Sequence, residues 1–377
     1  MRRTGSASLP LHHGRAPSWL VGRMRRLSNK IVGIIIDEYG TEDFLSRISD
    51  PFWFQAFGCV LGYDWHSSGI TTVVTGVLKQ AVDPEEHGIA VCGGKGKTSR
   101  KTPSELTEIG EIFGLSTRKI RDLKYTSRMS AKVDNAAIQA GYHLYHHAFF
   151  LAEGGEWAVV QQGMCDHDRT ARRYHWLSEH AENFVVEPHD AIVGETKRDM
   201  ALDMTAKKSE RCRKASVDLV KEPPRKINRW FESIRPPHQS SLEEWMPNPP
   251  TKYWREPPHE FLAMPKRINW KALSEVYQFQ PRNYEELLGF KGIGPATIRG
   301  LALISELIHG EKASWRDPVK YSFAYGGKDG VPYPVNRKAM DKSIRILQQA
   351  IEEAKIGNKE KKRSLKRLKR FIPRKTT

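Results

Sequence analysis

The stretch YEELLGFKGIGPATIRGLALISELI, residues 284–308, contains two helical patterns on either side of a glycine-rich turn. We predict a short first helix that ends near Leu288, a hairpin over residues 289–294, and a second helix that begins at Pro295. Proline is favoured in the first turn of a helix because the N–H that it lacks would have had no partner there. From Ile298 onward, apolar residues recur at helical spacing, which predicts one buried face on the second helix.

The glycines of this hairpin have a structural purpose. Gly292 and Gly294 allow the backbone to turn tightly and to approach another backbone closely. Their N–H groups, together with the positive end of the second helix, can hold a phosphate group. Lys291 and Arg299 can add positive charge nearby, and Ile293 is expected to fill the core below the turn.

In the pattern h-x-G-h-G-x-x-T, where h is an apolar residue, this stretch resembles the helix–hairpin–helix family of DNA-binding elements. The resemblance implies that the hairpin contacts the DNA backbone. Phosphate contacts position a protein without reading base sequence, so we expect binding that depends on DNA structure, with single-stranded or branched DNA as the partner. The alternative is a helical turn that only resembles this element.

Composition is consistent with a polyanionic partner. The chain of 377 residues has a formal net charge of +17, and cations placed on phosphates release condensed counterions. Charge alone does not separate DNA, RNA and anionic membrane. No apolar run approaches the ~18 residues of a membrane span, and the four widely spaced cysteines are expected to be reduced thiols. We therefore expect a cytoplasmic protein.

The chain is expected to have an α+β fold in two main parts. Residues 1–165 are predicted to form a mixed α+β catalytic domain, and residues 166–222 a helical extension of it. Residues 223–267 are rich in Pro and Trp and are predicted to form an ordered strap without regular structure. A mostly α-helical domain with the hairpin follows over residues 268–352. Residues 353–377 form a basic tail, which we expect to be solvated or disordered.

Within the N-terminal part, local patterns predict individual elements. Residues 69–76 and 156–161 are rich in β-branched or apolar residues and are predicted to be strands. Residues 104–124 follow a helix start signal and are predicted to be a helix. A second helix is predicted over residues 131–149.

The loop GGKGKTSRK, residues 93–101, resembles a P-loop at first sight. It lacks the spacing G-x-x-x-x-G-K-[ST], because Val91 stands where the first glycine is required. We interpret the loop as a nest for the phosphates of a nucleic-acid strand. Its basic residues are predicted DNA contacts: Lys95, Lys97, Arg100 and Lys101. A solvated basic turn is the equally weighted alternative.

Several polar residues of the N-terminal part are candidates for chemistry. Asp64, His66 and Asp134 are predicted catalytic residues, and Asp64, Asp134, His146 and His147 are predicted ligands of a divalent metal, Mg²⁺ or Mn²⁺. Carboxylates and histidines can hold ions that polarise a phosphodiester and activate water. For each histidine, a satisfied structural role is the alternative. Glu156 is not followed by the carboxylate-x-Lys ending that is expected of restriction-type nucleases.

Asp317 is a rival catalytic candidate. Its distance from the hairpin is similar to that of the catalytic Asp in helix–hairpin–helix DNA glycosylases, where an Asp would act on a flipped nucleotide. Ile298 stands where the bifunctional members have a Lys, which argues against lyase chemistry. The alternative is that Asp317 caps a turn before Pro318.

The chain as a whole resembles the archaeal and bacterial family known as domain of unknown function 763. The resemblance is carried by the segments LPLHHGRAP (9–17), DWHSSG (64–69), GGKGKTSR (93–100), SRMSAKVD (127–134), VQQGM (160–164) and YSFAYGGKDG (321–330). It implies no catalytic residue. Three hypotheses remain open: a structure-specific metal-dependent DNA nuclease, which we prefer, a monofunctional DNA glycosylase, and a DNA-binding protein without catalysis.

Overall fold

The computed structural model describes residues 18–62, 69–194, 197–234, 263–319, 321–322, 337–354 and 357–371. Asp64 and His66 lie outside these residues, as does the greater part of the predicted strap. Within them, a sheet lies between two layers of helices, so the α+β class is confirmed. None of the helices in these ranges combines the length and apolar character that a membrane crossing needs.

The central sheet has six strands. They are β1 (Ile89–Lys95), β3 (His143–Ala152), β4 (Trp157–Cys165), β5 (Thr170–Leu177), β6 (Ala191–Gly194) and β8 (Tyr321–Ser322), in that spatial order. All neighbours are antiparallel except β6 and β8, which are parallel. The short strands β2 (Ile138–Gln139) and β7 (Leu202–Asp203) form a separate pair.

The first helical layer is built from both ends of the chain. Its members are α1 (Ser18–Ser49), α2 (Pro51–Leu61), α3 (Gly69–Ala81), the short α4 (Pro84–His87), α12 (Arg337–Glu353) and α13 (Asn358–Phe371). Gly40 interrupts α1 with a φ of 86°. Phe57 of α2, Phe150 of β3 and Leu347 of α12 are all fully buried in one cluster, so α12 closes this core together with the sheet.

The second helical layer covers the opposite face of the sheet. It contains α5 (Thr102–Ile112), α6 (Thr117–Lys132), α7 (Glu210–Val220), α8 (Pro224–Ile234), α9 (Trp270–Phe279), α10 (Tyr284–Gly289) and α11 (Pro295–His309). Phe149 and Trp176 of the sheet share a core with Phe231, Leu287 and Ile298 of these helices. The boundaries of α10 and α11 agree with the helix ends predicted from the glycine spacing.

Three local predictions need correction. Residues 69–76 belong to helix α3, because four of their six β-branched side chains are buried by tertiary packing that overrides local propensity. The helix predicted over residues 104–124 is two helices, since Gly114 turns the chain with a φ of 66°. The helix predicted over residues 131–149 ends in a π-helical turn at residues 133–137 and continues as β2 and β3. The strand predicted at residues 156–161 is confirmed as part of β4.

Larger segments also differ from expectation. Residues 166–222 were expected to be helical, but they contain β5, β6 and β7 before α7 begins. The predicted strap is not free of regular structure, because α8 begins at Pro224 and is complete before the next proline at residue 236. The basic tail is helical in α13, and Leu368 and Ser364 are buried rather than solvated.

Candidate nucleic-acid interface and polar cavity

A buried chain of hydrogen bonds joins α6 to the middle of the sheet. Ser127 Oγ lies 2.9 Å from His147 Nε2, and His147 Nδ1 lies 2.9 Å from Gln161 Oε1. Gln161 Nε2 donates in turn to Asp134 Oδ2 at 2.5 Å. We call these four residues the Ser127–Asp134 chain. All four are buried.

The orientation of the Gln161 amide sets the direction of the other hydrogen bonds in this chain. The Gln161 amide nitrogen donates to Asp134, so the Gln161 oxygen, which can only accept, faces His147. His147 Nδ1 must then carry the proton that it donates to Gln161. His147 Nε2 is left as the acceptor, and the Ser127 hydroxyl donates to it. Burial lowers the pKa of His147 to about 4, which keeps the ring in this neutral form at pH 7.

Asp134 anchors the chain instead of facing solvent. Trp176 Nε1 donates to its Oδ2 at 3.1 Å, and His189 Nε2 contacts its Oδ1. Burial raises the pKa of Asp134, while the contact with His189 opposes that rise. The side chain is 0% exposed, so within the described structure Asp134 orients Gln161 and, through it, His147.

His146 points to the other face of the sheet from its neighbour His147, as alternation along a strand requires. Its Nε2 lies 2.9 Å from Thr75 Oγ1. Thr75 donates its own hydroxyl proton to the carbonyl oxygen of Thr71 at 2.8 Å, so Nε2 of His146 is the donor to Thr75. Nδ1 of His146 is therefore a lone-pair acceptor, and it is buried without a hydrogen-bond partner. Burial lowers the pKa of His146 to about 3.

A cavity of about 330 Å³ opens where β3 begins, beside α6; we call it the α6 cavity. Its lining comprises Ser99, Arg100, Pro103, Lys124, Ser127, Arg128, Ala131, Leu144, Tyr145, His146, His147 and Gln161. Three of these twelve residues are cations, and none is a carboxylate. Lys124, Ser127, Arg128 and Ala131 lie at helical spacing on one face of α6, so this helix forms a complete wall.

Lys132 fixes the glycine turn against the same helix. Its ammonium group donates to the carbonyl oxygens of Phe290, at 3.2 Å, and Ile293. Burial, with the nearby Arg128, lowers the pKa of Lys132. Lys132 follows Arg128 by one helical turn, a rise of about 6 Å. The turn at residues 290–294 and the wall of the α6 cavity are therefore held by one helix.

The two glycines of the turn differ in their constraints. Gly292 has a φ of 88°, and a Cβ on it would lie 2.7 Å from Cβ of Ala272. Gly294 has an extended φ of −136° and open space where a Cβ would lie. The close approach of Ala272 therefore explains why residue 292 is a glycine, and no such contact constrains residue 294. Gly292 and Lys291 are exposed, while Ile293 is buried as expected.

Arg299 is engaged inside the molecule. Its Nε donates to the carbonyl oxygen of Ala263 at 2.7 Å, and its Nη1 donates to Gln139 Oε1 at 2.8 Å. Gln139 also donates to the carbonyl oxygen of Pro295 at 2.9 Å. Burial lowers the pKa of Arg299. These contacts stabilise the start of α11, and a DNA contact by Arg299 stays a prediction.

The predicted phosphate nest forms the end of β1 and a 3₁₀ helix at Gly96–Lys101. Lys95, Lys97, Arg100 and Lys101 are all exposed there. The first N–H of the glycine run has a partner within the chain, because Gly93 donates to Glu105 Oε2 at 2.6 Å. Only Arg100 of the four cations lines the α6 cavity.

Asp317 is buried in an ion pair. Its Oδ2 accepts from Arg172 Nη2 at 2.6 Å and from the backbone N–H of Arg198 at 2.7 Å. Its Oδ1 accepts from the N–H of Val319 at 3.1 Å, which is the geometry of a capped turn around Pro318. Asp317 is 3% exposed. This arrangement favours the structural alternative, and glycosylase chemistry at Asp317 stays a hypothesis.

The structure describes three of the four predicted metal ligands, namely Asp134, His146 and His147. His146 and His147 face opposite sides of β3, and Asp134 contacts His189 instead of either of them. No group of three or more His, Cys, Asp or Glu side chains suited to a metal ion occurs within the described ranges. Because Asp64 and His66 lie outside those ranges, the divalent metal stays a prediction.

Sequence reasoning missed several residues of this region. Ser127, Lys124, Arg128 and Lys132 were not candidates, although three of them line the α6 cavity and the fourth holds the turn. A signal was present in α6: six of its sixteen residues are Lys or Arg and one is Asp. That excess, at helical spacing around a serine, could have marked a basic wall.

These features define an α+β protein with a basic cavity beside a tightly held glycine turn. The family model described as protein of unknown function, DUF763, matches residues 5–335. The chain therefore belongs to this family, and α12 and α13 lie beyond the matched range. No curated protein and no solved structure matches the chain.

Proposed function

We propose that the protein binds DNA through its phosphate backbone and processes it as a structure-specific nuclease. The observation that carries the DNA-binding part is the contact of Lys132 with the carbonyl oxygens of Phe290 and Ile293. This contact joins the glycine turn to the basic face of α6. A backbone that passes over the turn would therefore meet further cations at a fixed distance.

The turn itself offers donors to a phosphate group. Lys132 holds carbonyl groups of the turn on its inner side, while Lys291 and Gly292 are exposed. Gly294, the residue that precedes α11, has no side chain that could cap the first N–H groups of that helix. Free N–H groups at a helix start attract anions. These properties support a backbone contact that is independent of base sequence.

The nuclease part rests on chemistry that still has to be tested. In this proposal Asp64 and His66 hold a divalent metal, and Asp134 is a positioning residue. His146 supports such a site, because the Nδ1 atom of its neutral ring keeps a free lone pair. A bound Mg²⁺ or Mn²⁺ would polarise the phosphodiester and lower the pKa of a water molecule.

The binding part can be tested by charge reversal. We expect Lys291→Glu to weaken binding of flap, fork and single-stranded DNA about tenfold, and to reduce the slope of log K against log salt by about one. The matched control is Lys312→Glu, which changes an exposed lysine beyond the far end of α11, about 22 Å from the turn. Fluorescence anisotropy over a salt series measures both. Wild-type binding by Lys291→Glu would contradict the proposed contact.

The catalytic part needs a cleavage assay. Flap, fork and single-stranded substrates are incubated with Mg²⁺, with Mn²⁺ or with EDTA, and Asp64→Ala serves as the inactive variant. We expect metal-dependent cleavage that Asp64→Ala abolishes. Binding without cleavage of any substrate would indicate that the protein binds DNA without catalysis. Alkali-sensitive sites in damaged DNA, formed in EDTA and lost in an Asp317→Asn variant that circular dichroism shows to be folded, would support the glycosylase instead.

A further inference from the structure

We propose that helices α1 and α13 form a second surface for the DNA backbone, so that the protein holds two arms of a branched DNA. The inference deepens the DNA-binding function proposed above and rests on it for the identity of the polyanion. We call this surface the α1–α13 surface. It consists of eight exposed cations: Arg23, Arg25, Arg26, Lys30, Lys359, Lys362, Arg363 and Lys366.

The α1 side of this surface is a stripe at helical spacing. Successive members of the stripe are three or four residues apart and share one face of the helix over about 16 Å: Trp19, Arg23, Arg26 and Lys30. Trp19 is 63% exposed, and the guanidinium group of Arg23 lies over its ring, 5.4 Å from the centroid. Residues 18–36 contain no Asp or Glu, so this half of α1 has no negative charge of its own to balance the stripe.

The α13 side is a second row of cations on a helix whose other face is fixed. Leu368 is buried in the core of the first helical layer, and Arg367 donates to the carbonyl oxygen of Val60 at 3.1 Å. On the side away from Leu368, four cations are exposed at helical spacing: Lys359, Lys362, Arg363 and Lys366. The packing of α13 therefore holds these charges in place on the protein surface.

A groove of about 390 Å³ joins the two rows. Arg25, Arg26 and Lys30 line its α1 side, and Glu360, the only carboxylate in the described lining, lies at the start of α13. Among the residues that the structure describes, none of the eight cations forms an ion pair with a carboxylate. The positive charge of the α1–α13 surface is therefore not balanced by its own side chains.

The extent of this charge matches a phosphate backbone. The cations are spread over about 16 Å of α1 and about 10 Å of α13. A compact anion would meet only a part of either row. A DNA strand places one phosphate about every 3.4 Å along the helix axis, and each cation that contacts a phosphate releases condensed counterions. An extended polyanion therefore uses the whole surface.

An anionic membrane is the other extended polyanion. A helix that lies on a membrane buries an apolar face among the lipid chains. The apolar residues Leu365 and Leu368 of α13 instead pack against the core of the first helical layer, as do Met24 and Leu27 of α1. In their described parts both helices thus turn cations toward solvent, and their apolar faces are already covered by the protein. This arrangement favours nucleic acid.

The two DNA surfaces of this proposal belong to layers on opposite sides of the sheet. Met24 and Leu368 lie in the core of the first helical layer, whereas Ile293 of the glycine turn lies in the core of the second. The persistence length of duplex DNA is about 150 base pairs, so a duplex of one helical turn cannot bend around the protein. One short duplex therefore contacts one surface. Both surfaces are filled by two arms of a branch, or by two separate duplexes.

Binding stoichiometry tests the second surface. A duplex of about 12 base pairs, roughly one helical turn, is titrated into the full chain at low salt and followed by isothermal titration calorimetry. We expect two duplexes per protein. The double variant Arg26→Glu, Arg363→Glu should bind one, and so should Lys291→Glu, whereas the control Lys312→Glu should bind two. Glu360→Gln removes the carboxylate of the groove and should tighten one of the two binding steps about threefold, a gain that a damaged fold would not give.

The outcomes separate this inference from the proposed function. If the wild type binds one duplex, and the double variant loses it while Lys291→Glu keeps it, the contact at the glycine turn is rejected and the α1–α13 surface stands. Unchanged stoichiometry and affinity in the double variant would overturn the α1–α13 surface. It would also be overturned if the double variant lost only its binding to vesicles of phosphatidylcholine and phosphatidylserine, measured by flotation, because the surface would then serve a membrane.

Discussion

The neutral state of His147 makes a prediction about stability and pH. Burial lowers its pKa from 6.5 to about 4 in the folded protein. Below pH 6.5 the unfolded chain therefore binds a proton that the folded chain does not, and stability falls as the pH falls. The full slope of about 1.36 kcal/mol per pH unit applies only where the unfolded histidine is fully protonated, so between pH 6.5 and 4.5 His147 contributes a loss of about 2 kcal/mol. Well above pH 6.5 the loss is absent.

The perturbation is His147→Gln, which removes the titrating ring. We expect the variant to be less stable at pH 7.5, because the contacts with Ser127 and Gln161 change. Between pH 6.5 and 4.5, however, its free energy of unfolding should fall by about 2 kcal/mol less than that of the wild type. Urea unfolding followed by tryptophan fluorescence at four pH values measures this difference. Other groups, including the adjacent His146, contribute to both curves and cancel to a first approximation.

His180→Gln is the control. His180 is exposed, and its hydrogen bond to Asp190 raises its pKa. A raised histidine pKa stabilises the folded state at low pH, so this variant should lose slightly more stability in acid than the wild type, not less. If the His147→Gln and wild-type curves run parallel between pH 6.5 and 4.5, the assignment of a neutral His147 in the Ser127–Asp134 chain is wrong.

Four further substitutions test other parts of the fold by urea unfolding. Asp317→Asn leaves the buried Arg172 without its carboxylate and should cost about 3–5 kcal/mol; a loss below 1 kcal/mol would show that the pair is dispensable. Gly292→Ala should cost about 1–3 kcal/mol because of its positive φ and the contact with Ala272, whereas Gly294→Ala should stay within about 1 kcal/mol; equal effects would contradict the geometry of the turn. Leu368→Ala removes a buried side chain of α13 and should cost about 2–5 kcal/mol. An unchanged free energy of unfolding would indicate that the tail is solvated.

The sequence was informative where local rules decide the structure. Around Gly292 and Pro295, backbone freedom and the helix start determine the conformation, and both helix boundaries followed from them. The β-branched and apolar residues at 156–161 also predicted a strand correctly. These features depend on neighbours a few residues away, which a sequence displays directly.

The sequence misled where distant partners bury polar residues. Residues 166–222 were predicted to be a helical extension, yet Arg172 and Arg173 are fully buried in β5. Their partners are Asp317, 145 residues later, and Gln55, 118 residues earlier. Local patterns cannot reveal such pairs. The Ser127–Asp134 chain was hidden for the same reason, since it joins a helix, a π-helical turn and two strands.

The packing of α13 against α2 has a consequence for the order of synthesis. Arg367 donates to the carbonyl oxygen of Val60 at 3.1 Å, and Leu368 lies in the core of the first helical layer. The early helices thus emerge about 300 residues before the elements that complete their core. During that interval their apolar faces are open to chaperones or to neighbouring chains. The face of the sheet that carries α6 and the glycine turn is closed by residues up to 319, so this side is complete while the other layer still awaits its last helix.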